Sequence, residues 1–247
     1  MQKIGWLFLI CLLNIQCSSN TEEAELSSIH LRNGLVVDIS FNNTLTEKVT
    51  GTEGSNNGAT FVQDRKNTMG HAVHFNRTDS AYIDFGDLDK ASFVSGLFTI
   101  SCWVYLEDTL YPGAIVSKRG AGGDFEYCID NHFWNKDFYT FDNWVPNGST
   151  TVYGVDPLSA KAQVKLNQWQ HLVYVGNGNQ LRVYSNGVLQ SGADSKNSSA
   201  FGNTSTPLVV GNGGGFMKNY YFQGAIDDIR MYNRVLSEEE IMALFSE

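Results

Sequence analysis

The sequence predicts an all-β fold, a β-sandwich with one short C-terminal helix. Three observations predict it. Short runs that alternate apolar and polar residues recur between clusters of Gly, Asn, Asp and Ser, the pattern of half-buried strands joined by tight turns. The chain carries 24 Gly, 4 Pro and 13% aromatic residues, a balance suited to many short strands. Asn186-Gly187, set between Val183-Tyr184 and Val188-Leu189, is a type I′ hairpin signal, because both central residues must accept positive φ.

The alternating runs place strands at Leu35–Phe41, Ala72–Phe75, Ala81–Phe85, Phe98–Leu106, Ala114–Lys118, Phe125–Asp130, Phe138–Phe141, Trp169–Val175, Leu181–Ser185, Leu208–Val210 and Gln223–Tyr232. Gly176 to Asn179 turns the chain before the hairpin. The helix follows from Ser237 to Glu240, a capping box in which the Ser237 hydroxyl accepts from the Glu240 amide and the Glu240 carboxylate reaches back. Ile241, Leu244 and Phe245 then form one apolar stripe. No repeat or second hydrophobic span divides the rest, and about 220 residues suit one large β-sandwich.

The N-terminus reads as an export signal. Lys3 supplies positive charge, Ile4 to Ile15 is apolar apart from Gly5 and Asn14, and a polar stretch begins at Ser18. That run is short for a membrane span and has signal-peptide proportions. Residues 1–16 are expected to be a signal peptide, 17–28 a polar tether and 29–247 the folded domain. Cys17 stands where a lipoprotein signal places its lipidated cysteine, although Gln16 before it is larger than usual; cleavage nearby with Cys17 incidental is the alternative. The expectation is a chain exported to the outer membrane or cell surface, meeting the membrane only through the lipid.

The chain has 17 Lys and Arg against 26 Asp and Glu, a net charge of −9. An acidic chain without a basic cluster is a poor nucleic-acid binder. Of the four cysteines, Cys102 lies on the apolar strand face with Phe98, Ile100 and Val104. Cys128 lies opposite Phe125, Tyr127 and Ile129. One points inward and one outward, so no disulfide is expected between them.

Four blocks read together carry a family resemblance. They are Leu35 to Asn43; Ala81 to Phe85 followed by Phe98 to Tyr105; Asn167 to Val173, leading to Asn186-Gly187; and Gly224 to Ser237. In this order they resemble the bacterial laminin G-like, concanavalin A-like superfamily. The resemblance implies a jelly-roll β-sandwich, a scaffold that hosts lectins, adhesion modules, hydrolases and lyases. Trp103 and Trp169 are expected to pack against sheets, His171 to satisfy a hydrogen bond and Arg230 to meet a carboxylate.

Three places carry candidate chemistry. Asn42 and Asn43 end the first strand and Asp227-Asp228 lie on the last, where related sandwiches hold a structural calcium; Ca²⁺ takes several hard oxygen ligands. Glu47 stands where an Asp is common. The rival reading makes the two aspartates structural hydrogen-bonders. Second, Trp134 and Trp144 stand among Asn135, Asp142 and Asn143 in a loop-like setting, either a stacking platform for a sugar ring or anchors of the loop. Third, Asp124, Glu126 and Asp130 alternate on one strand and face away from the core. Paired carboxylates there would permit glycoside hydrolysis, or the face is simply solvated. The function expected is a lipid-anchored module binding glycan or polysaccharide. A protein-adhesion module, and more remotely a glycoside hydrolase or polysaccharide lyase, are the alternatives.

Overall fold

The computed structural model describes residues 31–120, 125–131, 136–147, 150–153, 161–194, 202–215 and 218–247, with side chains except at 143–147, 150–153 and 191–194. The strands are β1 (Leu35–Ile39), β2 (Ser55–Asn57), β3 (Thr60–Gln63), β4 (Met69–Phe75), β5 (Tyr82–Asp84), β6 (Leu97–Leu106), β7 (Ala114–Arg119), β8 (Phe125–Asn131), β9 (Phe138–Asn147), β10 (Thr150–Tyr153), β11 (Lys161–Gln163), β12 (Trp169–Asn177), β13 (Gln180–Ser185), β14 (Val188–Asp194), β15 (Leu208–Val210) and β16 (Gly224–Tyr232). One helix, α1 (Glu238–Ser246), follows them.

Two antiparallel sheets result. The first runs β14-β13-β12-β6-β16-β4-β3, with β1 also paired to β16; the second runs β10-β9-β8-β7-β15-β5-β2, with β11 paired to β9. Alternation sorts the side chains. Ile100, Cys102 and Val104 of β6, and Tyr127, Ile129 and Phe141 of the second sheet, turn into one shared core. Its centre is aromatic: Phe98 stacks on Phe93 at 5.2 Å and on Phe141 at 5.1 Å between ring centroids. Gly176 makes room for Phe98, since a Cβ there would lie 2.2 Å from the ring.

The helix begins where its sequence says. Ser237 Oγ accepts from the Glu240 amide and Glu240 accepts from the Ser237 amide. Ile241 and Leu244 are buried on the outer face of the first sheet, against Val173, Val175, Tyr184 and Tyr232. Burying each such side chain stabilises by about 1.5–3 kcal/mol.

Five strands extend one or two residues beyond the sequence reading, β1, β5 and β16 fall short of it, and β9 differs in kind. It continues through Asp142, Asn143 and Trp144 to Asn147, forming a hairpin with β10, where a loop was expected. Polar residues and Pro146 made this stretch look like loop. Among the described residues, beyond Asn143 the strand pairs only with β10, an edge setting in which proline is tolerated.

Candidate functional site

The register of β7, β8 and β9 builds a polar row on the outer face of the second sheet. Ser117 stands opposite Cys128 and Cys128 opposite Asp142, while Ala114 stands opposite Asp130 and Asp130 opposite Thr140. Residues paired across a ladder share a face, so Asp130 and Asp142 come together on adjacent strands.

A bulge sets the third member. Lys118 pairs with Tyr127 but Arg119 pairs with Phe125, so Glu126 is skipped. Phe125 therefore leaves the core and packs with Ala114 and Cys128 on the outer face. The Arg119 guanidinium lies 4.2 Å from its ring centroid, a stacking contact that orients the planar fork.

Glu126 consequently leaves the row in which strict alternation placed it. It pairs with the fully buried Lys118 at 3.1 Å and accepts from Ser92, from the Thr204 amide and from the Thr204 hydroxyl. Lys118 also donates to Asp87 and to the Thr204 and Thr206 carbonyls. This pair ties the 204–206 segment to the sheet.

The remaining charges are only partly satisfied. Asp130 is fully buried; its Oδ1 accepts from Thr140 at 2.9 Å, and its Oδ2 has no partner. Asp142 Oδ1 is buried and unpartnered, as are Arg119 Nε and Nη1. Burial raises both carboxylates, Asp130 well above the usual range and Asp142 to about 6; Arg119 pulls each back. Two acceptors and two donors thus lie buried and unpartnered in one cluster on this face. Residues 212–215 pack beside Arg119: the Ser117 hydroxyl donates to the Asn212 carbonyl, and Gly214 and Gly215 lie so close to the backbone of residues 119–120 that no Cβ fits.

The expected metal residues are arranged differently. Asp227 and Asp228 are neighbours on β16, which would point them to opposite faces. A bulge between Asp227 and Arg230 and a left-handed Asp228, φ 44°, bring both carboxylates onto Arg65 Nη1 at 2.8 Å each. The β3–β4 turn presents Arg65, held by Asp64 accepting from the Lys66 and Thr68 amides, and its guanidinium also covers Trp103 at 4.5 Å. Burial and the adjacent Asp228 raise Asp227. Asn42 and Asn43 are exposed, and the Asn43 side chain packs against Gly70. Glu47 is saturated by the Asp38, Val49 and Thr50 amides and the Thr50 hydroxyl. Among the described residues no three His, Cys, Asp or Glu side chains converge as a metal centre. As arranged, the residues do not fit a calcium site, because a guanidinium already supplies the positive charge.

Cys17, Asp124, Trp134 and Asn135 lie outside the described residues, as do the side chains of Asn143 and Trp144. Asp142 is the expected ligand residue whose side chain is described, and it belongs to this cluster. Arg119 was not singled out; the signal that finds it is the bulge, which single-strand alternation does not contain. His171 behaves as expected. It is buried between Trp103 and Phe245, hydrogen-bonded to Ser101 at 2.7 Å, and pushed down to about 3 by burial and then by Arg65 and Arg230, so it stays neutral. Arg230 meets Glu247 at 2.7 Å and Asp38 at 4.0 Å. Cys102 and Cys128 are free and buried, one in the core and one on the outer face.

A β-sandwich with a buried charged cluster on one sheet is a scaffold on which function resides in the grafted site. A family model described as the concanavalin A-like lectin/glucanases superfamily matches residues 77–242, and the chain belongs to that superfamily. No curated protein matches it at a significant level. Among solved structures it is similar to domain 4 of AbnA, an extracellular arabinanase from Geobacillus stearothermophilus, in complex with arabinotriose, at 20% identity and TM-score 0.58, covering 85% of this chain and 97% of that one. It is also similar to the binding domain of botulinum neurotoxin DC in complex with SialylT, at 14% identity and TM-score 0.62, covering 87% and 52%. A third is the binding domain of Paraclostridial Mosquitocidal Protein 1, at 17% identity and TM-score 0.65, covering 87% and 52%. This chain spans about half the length of the two toxin domains. At these identities the likeness establishes the fold.

Proposed function

We propose that this protein is a carbohydrate-binding module whose ligand site is the Arg119–Asp130–Asp142 recess. The observation that carries the reading is the set of buried, unpartnered atoms there: Arg119 Nε and Nη1 as donors, Asp130 Oδ2 and Asp142 Oδ1 as acceptors. Burying such atoms without partners costs free energy, and a ligand that satisfies them recovers it. Sugar hydroxyls donate and accept at once, so one saccharide serves both the guanidinium and the carboxylates. Trp134 and Trp144, with Asn135 and Asn143, keep in this proposal the stacking and hydroxyl-binding roles that the sequence suggests for them. The arabinotriose complex of AbnA domain 4 supports the ligand class.

The test is a glycan array with wild type and Asp142→Asn. Glycans bound by wild type and weakened by the variant, at matching melting temperature, uphold the proposal; identical binding by both removes the recess from it. A second reading has one specific observation behind it. Asp130 and Asp142 are buried neighbours with raised pKa values, the circumstance in which one carboxyl is held protonated as a general acid. Release of reducing sugar by wild type but not by Asp142→Asn would make the protein a hydrolase.

We further propose that the chain is exported and lipid-anchored through Cys17, acting at the outer membrane or cell surface, which would hold the module close to extracellular glycan. Cys17→Ala should move the protein from the membrane to the soluble fraction. Retention of the variant in the membrane fraction would contradict the anchor.

A further inference from the structure

The outer face of the first sheet is divided. Helix α1 roofs one part and ends with Phe245 stacked on Trp103, 5.7 Å between centroids. Beyond Trp103 the registers put Trp169, Tyr105, Ala225 and His74 side by side across β12, β6, β16 and β4. No helix residue covers this row, and it lines an open cavity of about 400 Å³.

The cavity's shape follows from the residue sizes. Ala225 is the floor, and its small side chain leaves a trough between Tyr105 and His74, two strand spacings wide, or roughly 10 Å. Tyr105 and Trp169, with ring centroids 5.7 Å apart and planes tilted by 59°, form one wall. His74, Val62 and Met69 border the other side.

The polar group in this wall is held in place. The Arg77 amide donates to Gln223, the Gln223 side-chain amide donates to Glu107 Oε2 at 2.6 Å, and Glu107 Oε1 lies 3.0 Å from His74 Nε2. A carboxylate at Nε2 selects, for the neutral ring, the tautomer protonated there, in which Nδ1 is an acceptor. No described residue donates to that nitrogen.

We infer that this trough is a second saccharide-binding site, on the sheet opposite the Arg119 recess. A single sugar ring would rest on the Tyr105–Trp169 wall and donate a hydroxyl proton to His74 Nδ1. A pocket of this volume, with aromatic walls and one oriented polar group, has the make-up of a small-ligand site rather than a protein-docking face. The site shares a ligand class with the recess but none of its residues.

A glycan array compares wild type, Trp169→Ala, His74→Gln and Asp142→Asn, each checked for wild-type melting temperature. The expected result is at least one glycan that Asp142→Asn still binds and that both Trp169→Ala and His74→Gln lose by about tenfold or more. Because Trp169 is half-buried, His74→Gln keeps the test valid should Trp169→Ala fold poorly. Wild-type binding by His74→Gln would overturn the second site and leave the recess standing. Loss of every glycan in Asp142→Asn would also overturn it, since all binding would then pass through the recess. Binding lost in the trough variants alone would uphold this site and remove the first.

Discussion

Lys118 and Glu126 show what individual residues do here. Both are fully buried, and removing Lys118 leaves Glu126 an uncompensated charge. Breaking such a pair costs about 3–5 kcal/mol. Lys118→Met should therefore lose about that much by chemical denaturation, and adding Glu126→Gln should recover part of the loss; additive losses would show that the pair does not act as a unit. Asp142 gives a prediction with the opposite sense. Its folded value of about 6 stands above its ordinary 3.8, and Asp130 is raised as well. An acid raised by folding contributes stability that is present below the unfolded value and lost as pH rises through the folded one. Wild type should lose melting temperature relative to Asp142→Asn as pH climbs from about 4 to about 7. Parallel curves would contradict the raised carboxylate. These residues also mark how far the sequence reaches. The acidic alternation at Glu126 and Asp130 was visible in it, but a bulge between β7 and β8 takes Glu126 out of that row and the pairing of β8 with β9 brings Asp142 to Asp130. A strand read alone carries no sign of its partner's register.

At the scale of elements, legibility followed burial. The long central strands and the capped helix were readable because one face of each is apolar and the other polar. The edge strands were not: β2 is Ser-Asn-Asn and wholly exposed, and β10 and β11 are short, so pairing rather than pattern makes them strands. Trp144 was placed in a loop for the same reason, since its strand has β10 as its neighbour there. Gly176 offers a test of how tightly the elements are fitted. Its missing Cβ admits the Phe98 ring, which in turn stacks on Phe93 and Phe141. Gly176→Ala should destabilise by about 1–3 kcal/mol through overpacking, without altering the secondary-structure signal. An unchanged denaturation midpoint would show that β12 can shift away from the ring.

For the whole molecule, the two sheets divide the work. The face they share is the aromatic core; the outer face of the first carries the helix and the open trough, and that of the second carries the charged recess. Arg65 bears on how the first sheet is held at its β16 bulge, where it joins two carboxylates and covers Trp103. With that guanidinium in place, millimolar calcium should leave the wild-type melting temperature where chelator leaves it. A calcium-dependent rise, abolished by Asp227→Ala, would restore the metal reading. The central claim is that Arg119, Asp130 and Asp142 take a saccharide. A calorimetric titration of the best array glycan tests it most directly, with wild type and Arg119→Met compared at equal melting temperature. Hydrogen bonds to a charged group are worth about 1.5–3 kcal/mol, so the variant should bind about 10- to 150-fold more weakly. An unchanged dissociation constant would contradict the claim.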